Sequence, residues 1–199
     1  MKSEKRMERG PKGWIILARG VLFISLLAFA GFLAGCADVT VNVHRHLYKP
    51  VLPESVVGFY QGKHIDLNSF ENMDKKTWKW TYLSADKKVA YKSYVPLEYY
   101  VMDCFRDALW LAGMSVLKDS PDANIPDMAL IIDHWTDAEF KFTVSVTKNN
   151  SLKFRNQFVV LMPPSDTTDV AQLEKNSYEM INTAVLAVLS DPKFKEIFK

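Results

Sequence analysis

Glu139-Phe140-Lys141-Phe142-Thr143-Val144-Ser145-Val146-Thr147 alternates apolar and polar side chains almost without a break. A strand places successive side chains on opposite faces, so this pattern predicts a half-buried strand with its Phe and Val residues on a core. Lys148-Asn149-Asn150-Ser151 follows as a turn, and Leu152 to Met162 returns with Phe154, Phe158 and Val160 facing inward. Asn156 falls on the same inward face, where it marks a bulge, and Pro163-Pro164 ends the sheet. Upstream, Met128-Ala129-Leu130-Ile131-Ile132 is a continuous apolar run of the kind found in a strand buried on both faces.

Two amphipathic helices are predicted against this sheet. Pro96 opens the first, where its missing N–H costs nothing, and Gly113 stops it. Leu97, Tyr100, Val101, Cys104, Phe105, Ala108 and Ala112 recur at helical spacing and form its core stripe, with Cys104 as a small buried hydrophobe in the middle. At about 100° per residue, Tyr99, Asp103, Arg106 and Trp110 share the opposite face. Two large aromatics beside an arginine on a solvent-side face predict a contact surface, so Tyr99, Arg106 and Trp110 are the candidate partner-binding residues. Asp169 caps the second helix with Gln172 three residues on, and Leu173, Ile181, Ala184, Val185 and Val188 form its apolar side. Asp191-Pro192 ends it and starts a short tail helix carrying Phe194, Ile197 and Phe198.

Before the first helix the pattern is less regular. Val56 to Tyr60 and Lys63 to Phe70 are strand-like runs broken by Gly58 and Gly62. Thr77 to Tyr82 alternates with Trp78, Trp80 and Tyr82 on one face, and a turn at Ser84-Ala85-Asp86-Lys87 leads to Val89 to Val95 as its hairpin partner. Lys75, Lys76, Lys79, Lys87 and Lys88 surround this hairpin as a solvated edge. The expected fold class is α+β: a single small domain, mainly antiparallel sheet packed by two amphipathic helices, preceded by an N-terminal leader.

That leader is residues 1–35. Lys2, Lys5, Arg6, Arg9, Lys12 and Arg19 make a basic region, and Val21 to Leu33 an apolar run of thirteen residues, short of the ~20 that a membrane-crossing helix needs. Leu33-Ala34-Gly35-Cys36 behind it resembles the lipobox of bacterial lipoproteins. The resemblance implies that the Cys36 thiol receives a diacylglycerol and that cleavage leaves it as an acylated N-terminus. Ala37, where enteric inner-membrane lipoproteins carry Asp, implies the outer membrane, facing the periplasm. Residues 36–54 then read as lipidated N-terminus and tether, in which Val39, Val41 and Val43 alternate as in a short strand while Pro50 and Pro53 interrupt any continuation and favour extended backbone, and 55–199 as a periplasmic α+β domain.

Removing the leader changes the charge. The 199-residue chain carries +2, residues 1–35 hold six basic residues against Glu4 and Glu8, and the remaining 164 residues are therefore at −2. That argues against nucleic acid as a partner. With Cys36 acylated only Cys104 remains, so stability must come from a core rather than disulfides. His44 and His46 share a strand face but lack a third ligand at a recognisable spacing, and no metal or other cofactor is expected. Asp133, His134, Asp137 and Glu139 gather titratable groups, yet alternation scatters them over both faces of a strand. The chain also lacks Gly-x-Ser-x-Gly, HExxH, P-loop and dinucleotide patterns, so no catalytic residues are expected.

The order of lipobox, extended N-terminal part, amphipathic helix ending in Ala-Gly, buried strand, meander and last helix ending in Asp-Pro looks like the YajG-like lipoproteins. Related layouts occur in the LptE-like and ABC-transport-auxiliary lipoproteins. Leu97 to Val116, Met128 to Val160 and Ile181 to Phe198 carry the resemblance, and the tryptophan-rich hairpin near Trp78 departs from it. The resemblance implies no catalytic residue and a single functional position, Cys36. The expected function is a non-catalytic envelope lipoprotein, anchored to the membrane by its lipid and binding an envelope protein. The alternative is an accessory part of a lipid or ABC-type transport system that handles acyl chains.

Overall fold

The computed structural model of the protein describes residues 39–74, 77–163 and 165–199. Cys36, the leader, Lys75, Lys76 and Pro164 lie outside the described residues. The alternating stretch forms a strand over Glu139–Lys148 in which Phe140, Phe142, Val144 and Val146 are fully buried. In chain order the strands are β1 Val39–Val43, β2 His64–Asn72, β3 Thr81–Leu83, β4 Val89–Ser93, β5 Ser115–Leu117, β6 Asp127–Trp135, β7 Glu139–Lys148 and β8 Ser151–Leu161. The helices are α1 Glu54–Tyr60, α2 Leu97–Leu111, α3 Val170–Ser190 and α4 Pro192–Glu196, with a 3-10 turn at Arg45–Leu47.

Five strands form one sheet in the order β5-β2-β6-β7-β8, and three form a second in the order β1-β4-β3. The class is α+β as expected, but the sheets are mixed rather than mainly antiparallel. β6–β7, β7–β8 and β3–β4 run antiparallel, whereas β1–β4, β2–β5 and β2–β6 run parallel. Parallel neighbours need a long crossover, and the chain between β2 and β5 supplies one that contains α2. α2 covers β2 and β5, while α3 lies against β7, β8 and β1.

The stripe predicted for the first helix is the one that is buried: Leu97, Tyr100, Val101, Cys104, Phe105, Ala108 and Ala112 are all at 0% exposure. Gly113 ends it at φ +85, and a Cβ there would meet Gln61 Cα at 3.1 Å. A row of rings joins the two sheets. Tyr91 stacks on Tyr82 (4.6 Å between centroids), Tyr82 on Trp135 (4.5 Å), Trp135 on Phe140 (4.6 Å), and Phe140 on Phe142 (4.7 Å). Each such pair contributes about 1 kcal/mol beyond the area it buries. At the other edge of the core, the Tyr60 hydroxyl donates to the Leu189 carbonyl at 2.8 Å.

Several expectations are overturned. The tether assigned to residues 36–54 contributes to the core: β1 pairs with β4, and Val41, Val43 and Tyr48 are buried. The three alternating valines gain both a ladder and an apolar seat, which the prolines downstream at 50 and 53 do not disturb. Val56 to Tyr60 is helical, because Pro53 leads into the first turn and the four-residue spacing of Val56 and Tyr60 buries both on one side. Thr77 to Trp80 is a turn rather than a strand: Thr77 N–H bonds the Asp74 carbonyl and Thr81 N–H the Trp78 carbonyl, both at 3.1 Å. As a result only Tyr82 of the three aromatics is buried, while Trp78 is 75% exposed and Trp80 46%. β6 is buried on one face only, with Ala129 and Ile131 half-buried on the other. The bulge falls between Val146 and Thr147, and Asn156, which is exposed, donates its amide to Asp191 at 3.1 Å. Asp169 and Asp191 do cap their helices, through Ala171 N–H at 3.0 Å and Lys193 N–H at 2.7 Å. Gln172, by contrast, pairs with Asn176 at 2.8 Å instead of closing a capping box.

Burial pushes the Cys104 thiol well above its ordinary range. We therefore expect Cys104 to resist thiol reagents in the folded protein and to label only on unfolding. Cys104→Asp should destabilise by several kcal/mol through a buried, unpaired charge. Mass spectrometry after timed labelling checks the first, denaturant melting the second, and fast native labelling would refute the buried orientation of this helix.

Candidate functional site

The outer face of α2 forms one wall of a groove. Tyr99, Met102, Arg106 and Trp110 stand along it, Val116, Leu117 and Lys118 form the facing wall, and Leu67 of β2 lies beneath. The groove encloses about 440 Å³. Tyr99 is 53% exposed and Trp110 54%, on a helix whose other face is completely packed. The three residues singled out by helical spacing thus line one groove, and no described segment covers them. The facing wall was not legible: β5 is three residues long, too short for a period to register.

Arg106 is already committed. Its guanidinium bonds the Asp103 carboxylate one turn back, and Asp103 is shared with Arg45, whose Nε lies 3.2 Å away. Arg45 also reaches Asp107 at 2.9 Å, so two arginines and two aspartates neutralise one another beside the groove. Lys118 makes no ion pair among the described residues and leaves the rim with one uncompensated positive charge. The arrangement can accept an apolar segment or chain along its length and an anionic group at its Lys118 end.

The remaining candidates disperse. His44 Nδ1 lies 3.0 Å from Glu174 Oε1, and the His44 and His46 rings meet edge to face at 5.6 Å. The Tyr178 hydroxyl accepts the His44 N–H at 2.9 Å and donates to Glu174. Burial works to raise the Glu174 carboxyl, but the hydrogen bonds from Tyr178 and His44 outweigh it and hold the group below its ordinary value. This cluster clasps the first strand to α3. Asp133 accepts from Thr143 at 2.8 Å and Gln157 at 3.1 Å, whereas His134 Nδ1 lies 2.9 Å from Asp74 and Asp137 accepts from Ala85 N–H at 2.9 Å. These titratable groups therefore serve separate structural contacts and do not converge.

No protein-family model matches the chain. No curated protein matches it in sequence. The fold resembles that of a DUF330 protein. Protein XCC0632 from Xanthomonas campestris, of that family, superposes with a TM-score of 0.58 over 79% of this chain and 96% of its own, at 8% identity. An uncharacterized protein superposes with a TM-score of 0.52 over 76% of this chain and 97% of its own, at 9% identity. At such identities the likeness is one of fold.

Proposed function

We propose that the protein is a non-catalytic envelope lipoprotein, tethered through acylated Cys36, that binds a protein partner in the groove between α2 and β5. The observation that carries this reading is the groove itself, where Tyr99 and Trp110 are half exposed on a rigidly packed helix. Aromatic side chains dominate binding energy when a partner excludes water from them, and a fixed helix presents them at little entropic cost. The lipobox-like Leu33-Ala34-Gly35-Cys36 supports the anchor, and Ala37 supports the outer membrane. Within this class the layout of the sequence supports a YajG-like protein.

A second reading has its own support. Leu67, Met102, Val116 and Leu117 give the groove an apolar lining with Lys118 at one end, which suits an acyl chain with an anionic head. That favours an accessory component of a lipid or ABC-type transport system.

Trp110→Ala tests the groove. Capture of the partner from crosslinked envelopes should weaken by about 2 kcal/mol, some thirtyfold, with the melting temperature nearly unchanged. A large loss of melting temperature would make Trp110 a packing residue and remove the groove as a site. Native mass spectrometry separates the two readings, since a lipid that co-purifies with the wild type and is lost in Trp110→Ala supports the second.

A further inference from the structure

Asp66 and Asp127 are register partners on the adjacent parallel strands β2 and β6. Asp66 is 4% exposed. Its Oδ2 accepts the Ser120 N–H at 2.6 Å, while its Oδ1 is buried and has no hydrogen-bond partner among the described residues. Asp127 repeats the arrangement: Oδ2 accepts from the Asn68 amide at 2.9 Å, and Oδ1 is buried without a partner. Two like charges side by side, each with an unsatisfied buried oxygen, are unfavourable, and a cation held between them would relieve that cost.

Both carboxylates line a polar pocket of about 180 Å³. Asn68, the loop at Asp119 to Ala123 and the β7–β8 turn at Asn149 and Asn150 complete it. The Asn149 N–H bonds the Ala123 carbonyl at 2.6 Å and joins the two loops. Lys148 also borders the pocket, but its ammonium is engaged by the Ile197 carbonyl at 3.2 Å. Asp122 Oδ1 accepts from the Asn124 main chain at 2.9 Å and its side-chain amide at 3.0 Å. Among the described residues no three His, Cys, Asp or Glu side chains gather to hold a metal, and neither imidazole nor thiol lines this pocket. The donors on offer are oxygens, and the carboxylates of Asp66, Asp119, Asp122 and Asp127 all line the pocket.

We propose that this pocket binds a hard divalent cation of the calcium type, with Asp66 and Asp127 as its charged ligands. Calcium takes six to eight oxygens in flexible geometry and accepts amide, main-chain and water oxygens beside carboxylates, whereas magnesium demands a tighter octahedron. The ion would do more than neutralise the pair. Asp66 and Asn68 flank Leu67 beneath the groove, and Leu117 and Lys118 of the groove run directly into Asp119 of the pocket. Cation binding therefore braces the groove wall, and it holds whether or not the lipid anchor and the groove's partner are as proposed.

The test is titration of CaCl2 and MgCl2 into the purified full chain after EDTA treatment, followed by calorimetry and thermal melting. Calcium should bind with a Kd below about 1 mM, more tightly than magnesium, and about 2 mM should raise the melting temperature by several degrees. Asp127→Asn and Asp66→Asn should each weaken binding at least tenfold; Asp127, the less buried of the two, is the variant to use if Asp66→Asn fails to fold. Absence of heat and of any melting shift in the wild type would overturn the site. So would equal calcium stabilisation of wild type and Asp127→Asn, which would place the ion elsewhere. A rise in stability of Asp127→Asn in EDTA with no calcium response in the wild type would make the pair simple repulsion and also overturn it.

Discussion

Cys36→Ser is expected to leave the chain as an unacylated precursor that still carries residues 1–35. On the lipoprotein reading the thiolate accepts the diacylglycerol, and the serine hydroxyl is too weak a nucleophile at neutral pH to replace it. Each buried methylene contributes about 0.8 kcal/mol to anchoring, so several acyl chains hold a protein on a membrane and their loss removes that hold altogether. Intact mass and membrane fractionation read the outcome: the variant should lack the acyl mass, and a mature, acylated form released normally from it would refute the anchor.

Trp135→Ala should cost about 3–5 kcal/mol of folding stability, the largest single-residue loss expected in the described structure. Trp135 is 1% exposed and stacks between Tyr82 of the smaller sheet and Phe140 of the larger one, with Tyr100 of α2 6.2 Å away. Removing the indole leaves a cavity where the two sheets meet, and neither sheet can collapse into it without losing its own register. The indole N–H has no partner among the described residues, so its loss offsets a small part of the cost. Urea melting of the variant measures this, and Trp135→Phe should recover a good share of it by restoring the stack. A cost below about 1 kcal/mol would mean that the ring row does not join the sheets.

The groove shows how far local pattern carries. Tyr99, Arg106 and Trp110 fall on one face because helical geometry repeats every 3.6 residues, and that much follows from their numbers alone. What stands opposite them does not. Leu67 arrives from β2, and Val116 and Leu117 from a strand three residues long, brought together by a crossover that no short-range pattern encodes. Two of the misreadings share one cause. Val56 to Tyr60 and Thr77 to Tyr82 are five or six residues each, short enough that helix, turn and strand periods fit nearly as well, and the choice fell to contacts elsewhere: the Leu189 carbonyl for Tyr60 and the turn at Asp74 for Trp78.

By itself, the sequence determined the faces of α2 and α3, the burial of Cys104, the caps at Asp169 and Asp191 and the β7–β8 hairpin. In that hairpin Asn149 and Asn150 take the left-handed conformations, at φ 55 and 57, that asparagine tolerates. These features depend on residues within a few positions of one another, so periodicity and side-chain chemistry suffice. Only the tertiary structure decided that Val39–Val43 belongs to the core, that β2 pairs in parallel on both sides, and that Asp66 and Asp127 stand together over one pocket. Those outcomes turn on partners far along the chain, as when His44 meets Tyr178 134 residues away. Burial selects such partners only once the whole chain competes for the same apolar surface.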